Sequence, residues 1–348
     1  MPPWGRGEHS RRQGTDRGAF CRRRVPARPG ECEHVSWASG SAAILAGFFG
    51  VQMALEVVPC LVCGDSAQAP VCRKFNLEIV RCKRCGFVYA SPRLTKDDLW
   101  TRYSSTYFWD EYLPSYGVQD GKFDLRDFDI RYHAMLEMVA TRVSPPGDLL
   151  EIGAGAGFFL KAAERAGWRV AGTEILEAAI GFAGSRLGLE IRQEAAEQLG
   201  APDDSADVVA MFEVIEHLLD PRVVLERLRG VLRPGGLLVL STPNFNSLSR
   251  IALGDGWAVL SPAEHVYYFT KGSLRQVLTR AGFSDVEFIR RHGGQGLFET
   301  MNPRHTHTPE KMRTAVYRSF VEYLGPALVG RVQSWGLGDT LFCFARSR

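Results

Sequence analysis

The sequence predicts an α/β protein built on a doubly wound, seven-stranded and mostly parallel sheet, with a smaller cysteine-based module before it. From residue 148 onward, apolar strand-like runs alternate with helical segments of about ten to fifteen residues, which is typical of a parallel sheet covered on both faces. The first run ends in a glycine-rich loop, and two Cys-x-x-Cys pairs stand closer to the N-terminus. These patterns divide the chain into residues 1–55, 56–95, 96–144 and 145–348.

Residues 1–55 are expected to be a disordered N-terminal extension or the result of a mis-assigned start site. Met53 is the alternative start. Residues 1–52 contain eight arginines and four acidic residues, so they hold the excess positive charge of a chain whose net charge is +3. The apolar patch at 42–55 is shorter than the roughly 20 residues that span a bilayer. A secretory signal is disfavoured because the cysteines that follow are spaced as metal ligands. The chain after residue 52 is nearly neutral, so its charge does not favour binding to nucleic acid. We expect a cytoplasmic protein without membrane contact.

Four cysteines form two pairs with the spacing of a structural zinc site. The pairs are Cys60 with Cys63 and Cys82 with Cys85, and 18 residues separate them. A Cys-x-x-Cys turn brings two thiolates close together, and the glycine after each pair lets the backbone fold over the sulfurs. The intervening residues alternate as in a strand, so residues 56–95 are predicted to form a zinc ribbon of two short hairpins. Because four thiolates leave no open coordination position, the predicted zinc is structural.

Residues 96–144 are predicted to form a helical and aromatic connector and cap. Tyrosine, phenylalanine and tryptophan are frequent from residue 87 to residue 112. Most of these rings are expected to pack between the ribbon and the following domain, and a share of them to line a substrate pocket. Residues 126–142 have the periodicity of an amphipathic helix, and the SPPGD sequence at 144–148 breaks it.

The domain over 145–348 is predicted to contain seven strands with helices between them. Seven strand-like runs occur in the order DLLEIGA, WRVAGTEI, LEIRQEA, ADVVAMFEV, GGLLVLSTP, SDVEFIRR and GDTLFCFARS. Four helical segments fall between them, namely GFFLKAAERAG, LEAAIGFAGSRLG, PRVVLERLRGVL and KGSLRQVLTRAG. In doubly wound sheets of this kind, the ligand binds at the carboxyl ends of the strands.

The loop after the first strand carries the first indication of a cofactor. Its glycines are spaced GxGxG, and Phe158 stands where a dinucleotide-binding GxGxxG loop would have its third glycine. Glu151, at the strand end before the loop, would repel a pyrophosphate but suits a cofactor with a cationic amino end. Glu174 ends the second strand, where a carboxylate can accept hydrogen bonds from the ribose hydroxyls of NAD or S-adenosylmethionine.

Three motifs together resemble the class I S-adenosylmethionine-dependent methyltransferases. They are EIGAGAG after the first strand, EVIEHL after the fourth and LRPGG before the fifth. The resemblance covers about residues 145–291 and the final strand. The subgroup that the chain resembles most is the small-molecule methyltransferases related to ubiquinone-biosynthesis enzymes, where a paired-cysteine front end also occurs. The resemblance implies a Rossmann-like methyltransferase fold and S-adenosylmethionine as the methyl donor.

The resemblance also implies roles for individual residues. Glu151 and the backbone of Gly153 and Gly155 would hold the methionine end of the cofactor, and Glu174 would hold its ribose. The other implied cofactor-binding residues are Ala154 and Gly157 in the loop, Ile175, Ala195 and Ala196 around the adenine, Glu194 or Glu197 near its amino group, and Phe212 and Glu213, which close the pocket.

Two histidines are candidates for the chemistry at the methyl acceptor. A base is needed when the acceptor is a hydroxyl or a carbon acid. His265 lies in residues 244–269, a connection too long for a simple turn, which we interpret as a substrate lid. We predict His265 to be the general base, with ordering of the lid as the alternative role. His217, in EVIEHL, is predicted to orient the floor of the pocket.

The sequence indicates the class of acceptor more weakly than the donor. The Asn/Asp-Pro-Pro-aromatic stretch of enzymes that methylate base amino groups is missing after the fourth strand, which reads FEVIEH. We therefore expect a hydroxyl or carbon of a small metabolite, such as a sugar, quinone or polyketide-like compound. An RNA methyltransferase that grips RNA with the ribbon, and a non-catalytic zinc-binding interaction protein, remain as alternatives. A dehydrogenase is disfavoured, and no oligomeric state is predicted.

Overall fold

The computed structural model describes residues 54–100, 105–118, 121–289 and 335–348. Almost all of the predicted N-terminal extension, and the stretch 290–334, therefore lie outside the described residues. The boundaries of the four parts that the sequence predicts stay predictions.

The strands of the described residues are numbered in chain order. They are β1 (Leu55–Glu56), β2 (Gln68–Lys74), β3 (Leu77–Cys82), β4 (Val88–Ala90), β5 (Arg93–Leu94), β6 (Asp148–Ile152), β7 (Arg169–Glu174), β8 (Ile191–Gln193), β9 (Ala206–Phe212), β10 (Leu232–Pro243), β11 (Tyr267–Tyr268), β12 (Phe283–Phe288) and β13 (Thr340–Ser347). Each of the seven runs predicted after residue 145 overlaps one strand, and β10 and β12 begin before their predicted runs.

The main sheet confirms the predicted fold class. It has seven strands in the order β12-β13-β10-β9-β6-β7-β8. Strands β6 to β10 pair in parallel, whereas β13 runs antiparallel to both of its neighbours. The order reverses between β6 and β9, so the carboxyl ends of these two strands flank the position where a doubly wound sheet binds its ligand.

Helices cover both faces of the main sheet, which explains why its strands are apolar without alternation. One face packs against the helices Leu125–Ala140, Phe158–Arg165 and Glu177–Phe182, and strand residues such as Leu149 and Val208 point toward it. The other face packs against Pro221–Val231 and Lys271–Arg280. No helix within the described stretches combines the length and the apolar character needed to cross a membrane.

The cysteine module is an antiparallel meander, in which the two short hairpins share strand β3. Strands β2, β3 and β4 pair in sequence, and β11 from the distant segment 244–269 adds to the free edge of β4. Strands β1 and β5 form a separate two-stranded ladder. The first cysteine pair stands in a turn before β2 and forms no hairpin.

Candidate active site

A cavity of about 340 Å³ opens at the carboxyl ends of the central parallel strands. Its lining includes all but one of the residues implied to bind the cofactor: Glu151, Gly153, Ala154, Gly155, Glu174, Ile175, Ala195, Ala196, Phe212 and Glu213. Glu194, Glu197, His217 and His265 line the same cavity. The residues singled out from five separate sequence segments therefore meet in one place.

The glycines of the loop after β6 are required by its backbone shape and by close approaches. Gly153 and Gly155 have φ values of +67° and +52°, in the left-handed region that favours glycine. A Cβ atom on Gly153 would come within 2.6 Å of Val214 Cγ2, and one on Gly155 would collide with the hydroxyl of Tyr112. Side chains at these positions would fill the cavity wall.

Gly157 is the exception among the implied cofactor residues. It does not line the cavity but stands at the start of the helix Phe158–Arg165, with a φ of +79°. A Cβ atom here would lie 2.8 Å from Leu189 Cδ1. The structure thus gives Gly157 a role in helix packing, and a direct contact with the cofactor stays a prediction.

Glu151 brings a buried carboxyl group with an unsatisfied oxygen to the cavity. Its residue is 4% exposed, and its Oε2 atom has no hydrogen-bond partner. Burial raises the pKa of Glu151 well above its ordinary value, and the charge of Glu174 raises this pKa further. Because a buried polar atom is costly without a partner, the site fits a ligand that brings a cationic donor.

Glu174 is held rigidly by the backbone at the end of β7. Its Oε2 accepts a hydrogen bond from the Gly155 N–H at 2.8 Å, and its Oε1 accepts from Ile175 and Leu176 at 2.7 and 3.0 Å. Each carboxylate oxygen has two lone pairs, so Oε2 can still accept one hydrogen bond from a ribose hydroxyl. The Gly155 N–H is thereby used to fix the loop to Glu174.

The two acidic candidates near the predicted adenine position differ in their contacts. Glu194 accepts a hydrogen bond from the Gly200 N–H at 2.7 Å, and its other oxygen lies 3.7 Å from the Arg192 guanidinium. Glu197 is the middle residue of the short turn Ala196–Gln198. Both line the cavity, so the choice between them stays open.

The residues at the end of β9 form one wall of the cavity. Phe212 packs edge-on against Phe159, with ring centroids 4.8 Å apart. Glu213 follows with a φ of +52° and accepts a hydrogen bond from the Ser241 hydroxyl at 2.7 Å. This strained turn directs the following residues, up to His217, toward the cavity.

Aromatic side chains of the predicted cap reach the cofactor loop. Tyr107, Phe108, Tyr112 and Tyr116 line the cavity. The Tyr112 hydroxyl accepts a hydrogen bond from the Ala156 N–H at 3.3 Å, and burial raises the pKa of this tyrosine well above its ordinary value. The sequence indicated that some aromatics line a pocket, but it did not single out Tyr112.

The rings of the two predicted catalytic histidines pack edge to face in the lining of the cavity. Their ring centroids are 4.6 Å apart. His217 Nδ1 lies 3.0 Å from the Glu264 carbonyl, and His265 Nδ1 lies 2.8 Å from the Val259 carbonyl. Because a carbonyl only accepts, each neutral ring carries its hydrogen on Nδ1 and its lone pair on Nε2. Burial, and then the charge of His265, lowers the pKa of His217 well below its ordinary value.

Glu216 is a site residue that sequence reasoning missed. Its residue is 1% exposed; Oε2 accepts from the Thr242 hydroxyl, and Oε1 has no hydrogen-bond partner but lies 3.9 Å from His217 Nε2. One ligand atom from each of Glu216, His217 and His265 lies within 4.8 Å of the others, so the three could hold a metal ion. The available signal was an acid directly before the histidine in EVIEHL.

The segment predicted as the substrate lid, 244–269, forms a packed wall of the cavity. Only Glu264 and His265 of this segment line the cavity. Its aromatic residues pack instead against the cysteine module: Trp257 and Tyr268 join an apolar cluster with Ile79 of β3. The aromatic content of the segment therefore reflects packing between modules, and its action as a lid stays a prediction.

The four paired cysteines converge as the sequence predicts for metal ligands. Their sulfur atoms lie within 4.8 Å of one another, and two contacts, Cys60 to Cys85 and Cys63 to Cys82, measure 3.5 Å. Burial acts to raise the pKa of Cys82, but hydrogen bonds from its neighbours outweigh it and lower the pKa to about 7. The arrangement fits four thiolates around one ion.

Comparisons with known proteins agree with the chemistry of the cavity. Residues 130–287 match a family described as a methyltransferase domain. A Mycolicibacterium smegmatis protein named as a probable S-adenosylmethionine-dependent methyltransferase is 30% identical over 190 residues, which cover 54% of this chain and 70% of that protein. The chain belongs to the S-adenosylmethionine-dependent methyltransferases. It is thus an enzyme of this family with the Rossmann-like methyltransferase fold, and S-adenosylmethionine is its cofactor.

Other similar proteins extend the comparison. A ubiquinone biosynthesis O-methyltransferase of Cereibacter sphaeroides is 33% identical over 150 residues, which cover 40% of this chain and 61% of that protein. A crystal structure of an S-adenosylmethionine-dependent methyltransferase from Archaeoglobus fulgidus matches with a TM-score of 0.46 and 19% identity, covering 68% of this chain and all of that one.

Proposed function

We propose that this methyltransferase transfers the methyl group to a hydroxyl or carbon of a small metabolite that binds between the cap and the histidine pair. The observation that carries the proposal is the layout of the cavity. The unpartnered carboxyl oxygen of Glu151 lies in the part formed by the glycine loop, and His217 and His265 line the part formed by the segment 244–269. One cavity therefore offers groups for the donor and groups for the acceptor.

The residues of the donor part are suited to S-adenosylmethionine. Its sulfonium supplies an activated methyl group, and the thioether that remains is neutral. Glu151 would bind the amino group of the cofactor, and Glu174 would accept hydrogen bonds from the ribose. Tyr112, which covers the loop, would keep water away from the reacting atoms.

At the acceptor, His265 is proposed to act as the general base. The Val259 carbonyl fixes the Nδ1 hydrogen of His265, so its Nε2 can take a proton from an acceptor hydroxyl or acidic carbon. The low pKa of His217 keeps that ring neutral beside it, so it does not oppose protonation of His265 in the reaction. The contact with His265 orients both rings toward the cavity.

The lining of the cavity favours a neutral or cationic acceptor with apolar surface. Leu99, Tyr107, Phe108, Met135 and Leu218 supply apolar or aromatic contact. No lysine or arginine belongs to the cavity lining in the described part of the chain. A phosphate-rich acceptor such as RNA would meet the acidic groups without cationic partners.

We also propose that the four paired cysteines bind one structural zinc ion. The support is the convergence of the sulfurs and the left-handed glycines Gly64 and Gly86, whose N–H groups bond back to the carbonyls of Cys60 and Cys82. A tetrathiolate site would fix the meander and take no part in the chemistry.

Methyl transfer with a panel of phenols, quinols, sugars and polyketide-like acceptors tests the proposal. We expect an active acceptor in the panel, and we expect His265→Asn to lower kcat by about 100-fold or more at pH 7. The affinity for S-adenosylmethionine should stay within about two-fold of the wild type. His133→Asn, on an exposed helix surface, is the matched control. Full activity of the His265 variant would exclude this histidine as the base.

A further inference from the structure

Arg93 is a buried arginine outside the catalytic cavity. Its side chain is 9% exposed, and it stands in β5 next to the cysteine module. Its Nε donates to Glu56 Oε1 at 2.8 Å. This ion pair uses one edge of the guanidinium and leaves the other for partners elsewhere.

The other partners of Arg93 belong to the two segments that carry the histidines. Its Nη1 donates to the Leu219 carbonyl at 2.8 Å and to the Tyr267 hydroxyl at 2.9 Å. The Tyr267 hydroxyl in turn donates to the Leu219 carbonyl at 3.0 Å. Leu219 lies two residues after His217, and Tyr267 lies two residues after His265. Arg93 therefore links the two histidine segments from outside the cavity lining.

Backbone hydrogen bonds near Arg93 also hold the two histidine segments together. Tyr267 pairs with Tyr89 of β4, and the Val266 N–H donates to the Glu216 carbonyl at 2.9 Å. The two histidine segments are therefore neighbours through their backbones, and the guanidinium adds a contact to each of them beyond its histidine. A planar, multi-donor group is suited to this task, since a lysine has neither the fork nor the rigidity.

We propose that Arg93 is a positioning residue that fixes the separation and orientation of the His217–His265 pair. It does so by binding the Leu219 carbonyl and the Tyr267 hydroxyl at once. Its effect on the rate of methyl transfer rests on the proposed function, whereas its effect on the two histidine rings does not. A small displacement at a reacting group is enough to cost a large part of a rate.

The test compares Arg93→Met, Tyr267→Phe and the double variant in the full chain. Arg93→Met keeps the aliphatic bulk and removes the donors, and Glu56 is exposed enough to be solvated. We expect kcat to fall about 10-fold in either single variant. The double variant should lose little more, because both substitutions break the same hydrogen-bonded group. Arg93→Lys should recover part of the rate. Arg169→Met, which breaks an exposed ion pair with Asp148, is the matched control and should behave as wild type.

Histidine ring signals in long-range proton–nitrogen NMR spectra give a readout that does not need an acceptor. In Arg93→Met the signals of His217 and His265 should shift or broaden, while those of the exposed His133 stay unchanged. Moved signals without any methyl transfer in the wild type would leave the positioning role standing and refute the proposed function. Unmoved signals would overturn the positioning role. So would an equal loss of S-adenosylmethionine affinity and kcat, or a lower melting temperature with an unchanged kcat.

Discussion

At the scale of single residues, Glu151 defines the donor part of the cavity. Its carboxyl group is buried with one oxygen unpartnered, and its pKa is raised, first by burial and then by Glu174. A carboxyl group whose pKa is raised in the folded chain adds stability at low pH. That contribution is lost as the pH rises from the unfolded value, near 4.5, through the folded value.

This sign predicts how Glu151→Gln should affect stability. At pH 8 without cofactor, we expect the free energy of unfolding to rise by about 1 kcal/mol or more, because the variant removes the cost of burying a carboxyl group that is ionised in the unfolded chain. At pH 4, where the carboxyl group is protonated in both states, little change is expected. Urea unfolding at the two pH values measures this effect, with Glu137→Gln on an exposed helix surface as control. Equal effects at both pH values would contradict the assignment.

The residues of the cavity differ in how visible they are in the sequence. The glycines, Glu151 and Glu174 could be predicted because strand ends and close backbone approaches leave a local pattern. Tyr112 and Glu216 could not, since their roles depend on which buried group faces them in the folded chain. Gly157 follows the loop pattern, although its contacts are with Leu189 and other packing residues.

At the scale of elements, β11 links the cysteine module to the acceptor side of the cavity. It pairs with β4, and its Tyr267 and the following Phe269 pack against Phe87 at ring distances of 5.9 and 5.5 Å. Phe87 comes two residues after Cys85. Loss of the proposed zinc should therefore loosen the segment that carries His265 and leave the donor part intact.

Cys63→Ser tests this link between elements. We expect zinc content to fall, hydrogen exchange at Tyr267–Tyr268 to quicken, and methyl transfer to fall by about 10-fold or more, because His265 is displaced. Binding of S-adenosylmethionine should be retained. Cys72→Ser, outside the four-sulfur group but in the same module, is the control. Unchanged transfer after loss of zinc would show that the module does not support the acceptor site.

The elements of the main sheet could be predicted because long apolar runs and helical periods are local signals. The β4–β11 pairing could not be predicted, since Tyr267–Tyr268 is a two-residue strand with no period and its partner lies almost 180 residues away. For the same reason, the aromatic residues of 244–269 suggested a lid when most of them pack against the cysteine module.

At the scale of the whole molecule, charge argues against a nucleic-acid substrate. The excess positive charge resides in residues 1–52, and the cavity lining is acidic and aromatic. The cysteine module is locally basic, with Arg73, Lys74, Arg81, Lys83 and Arg84 in its sequence. An RNA methyltransferase would need a basic surface that leads phosphates into the cavity. The basic residues of this module do not line the cavity.

A gel-shift titration with structured RNA separates the two classes of acceptor. The chain from residue 53 onward should show no salt-sensitive binding at low ionic strength, because no lysine or arginine of the described residues lines the cavity. A tight complex that weakens steeply with salt would favour the RNA methyltransferase.

Calorimetry of cofactor binding tests the central claim of a methyl-donor site most directly. We predict that the full chain binds one S-adenosylmethionine and does not bind NAD. Glu174→Ala should weaken the affinity about 10- to 100-fold, as expected for hydrogen bonds to a charged group. Glu137→Ala should leave the affinity unchanged. Binding of NAD, or S-adenosylmethionine binding that is indifferent to the loss of Glu174, would contradict the account.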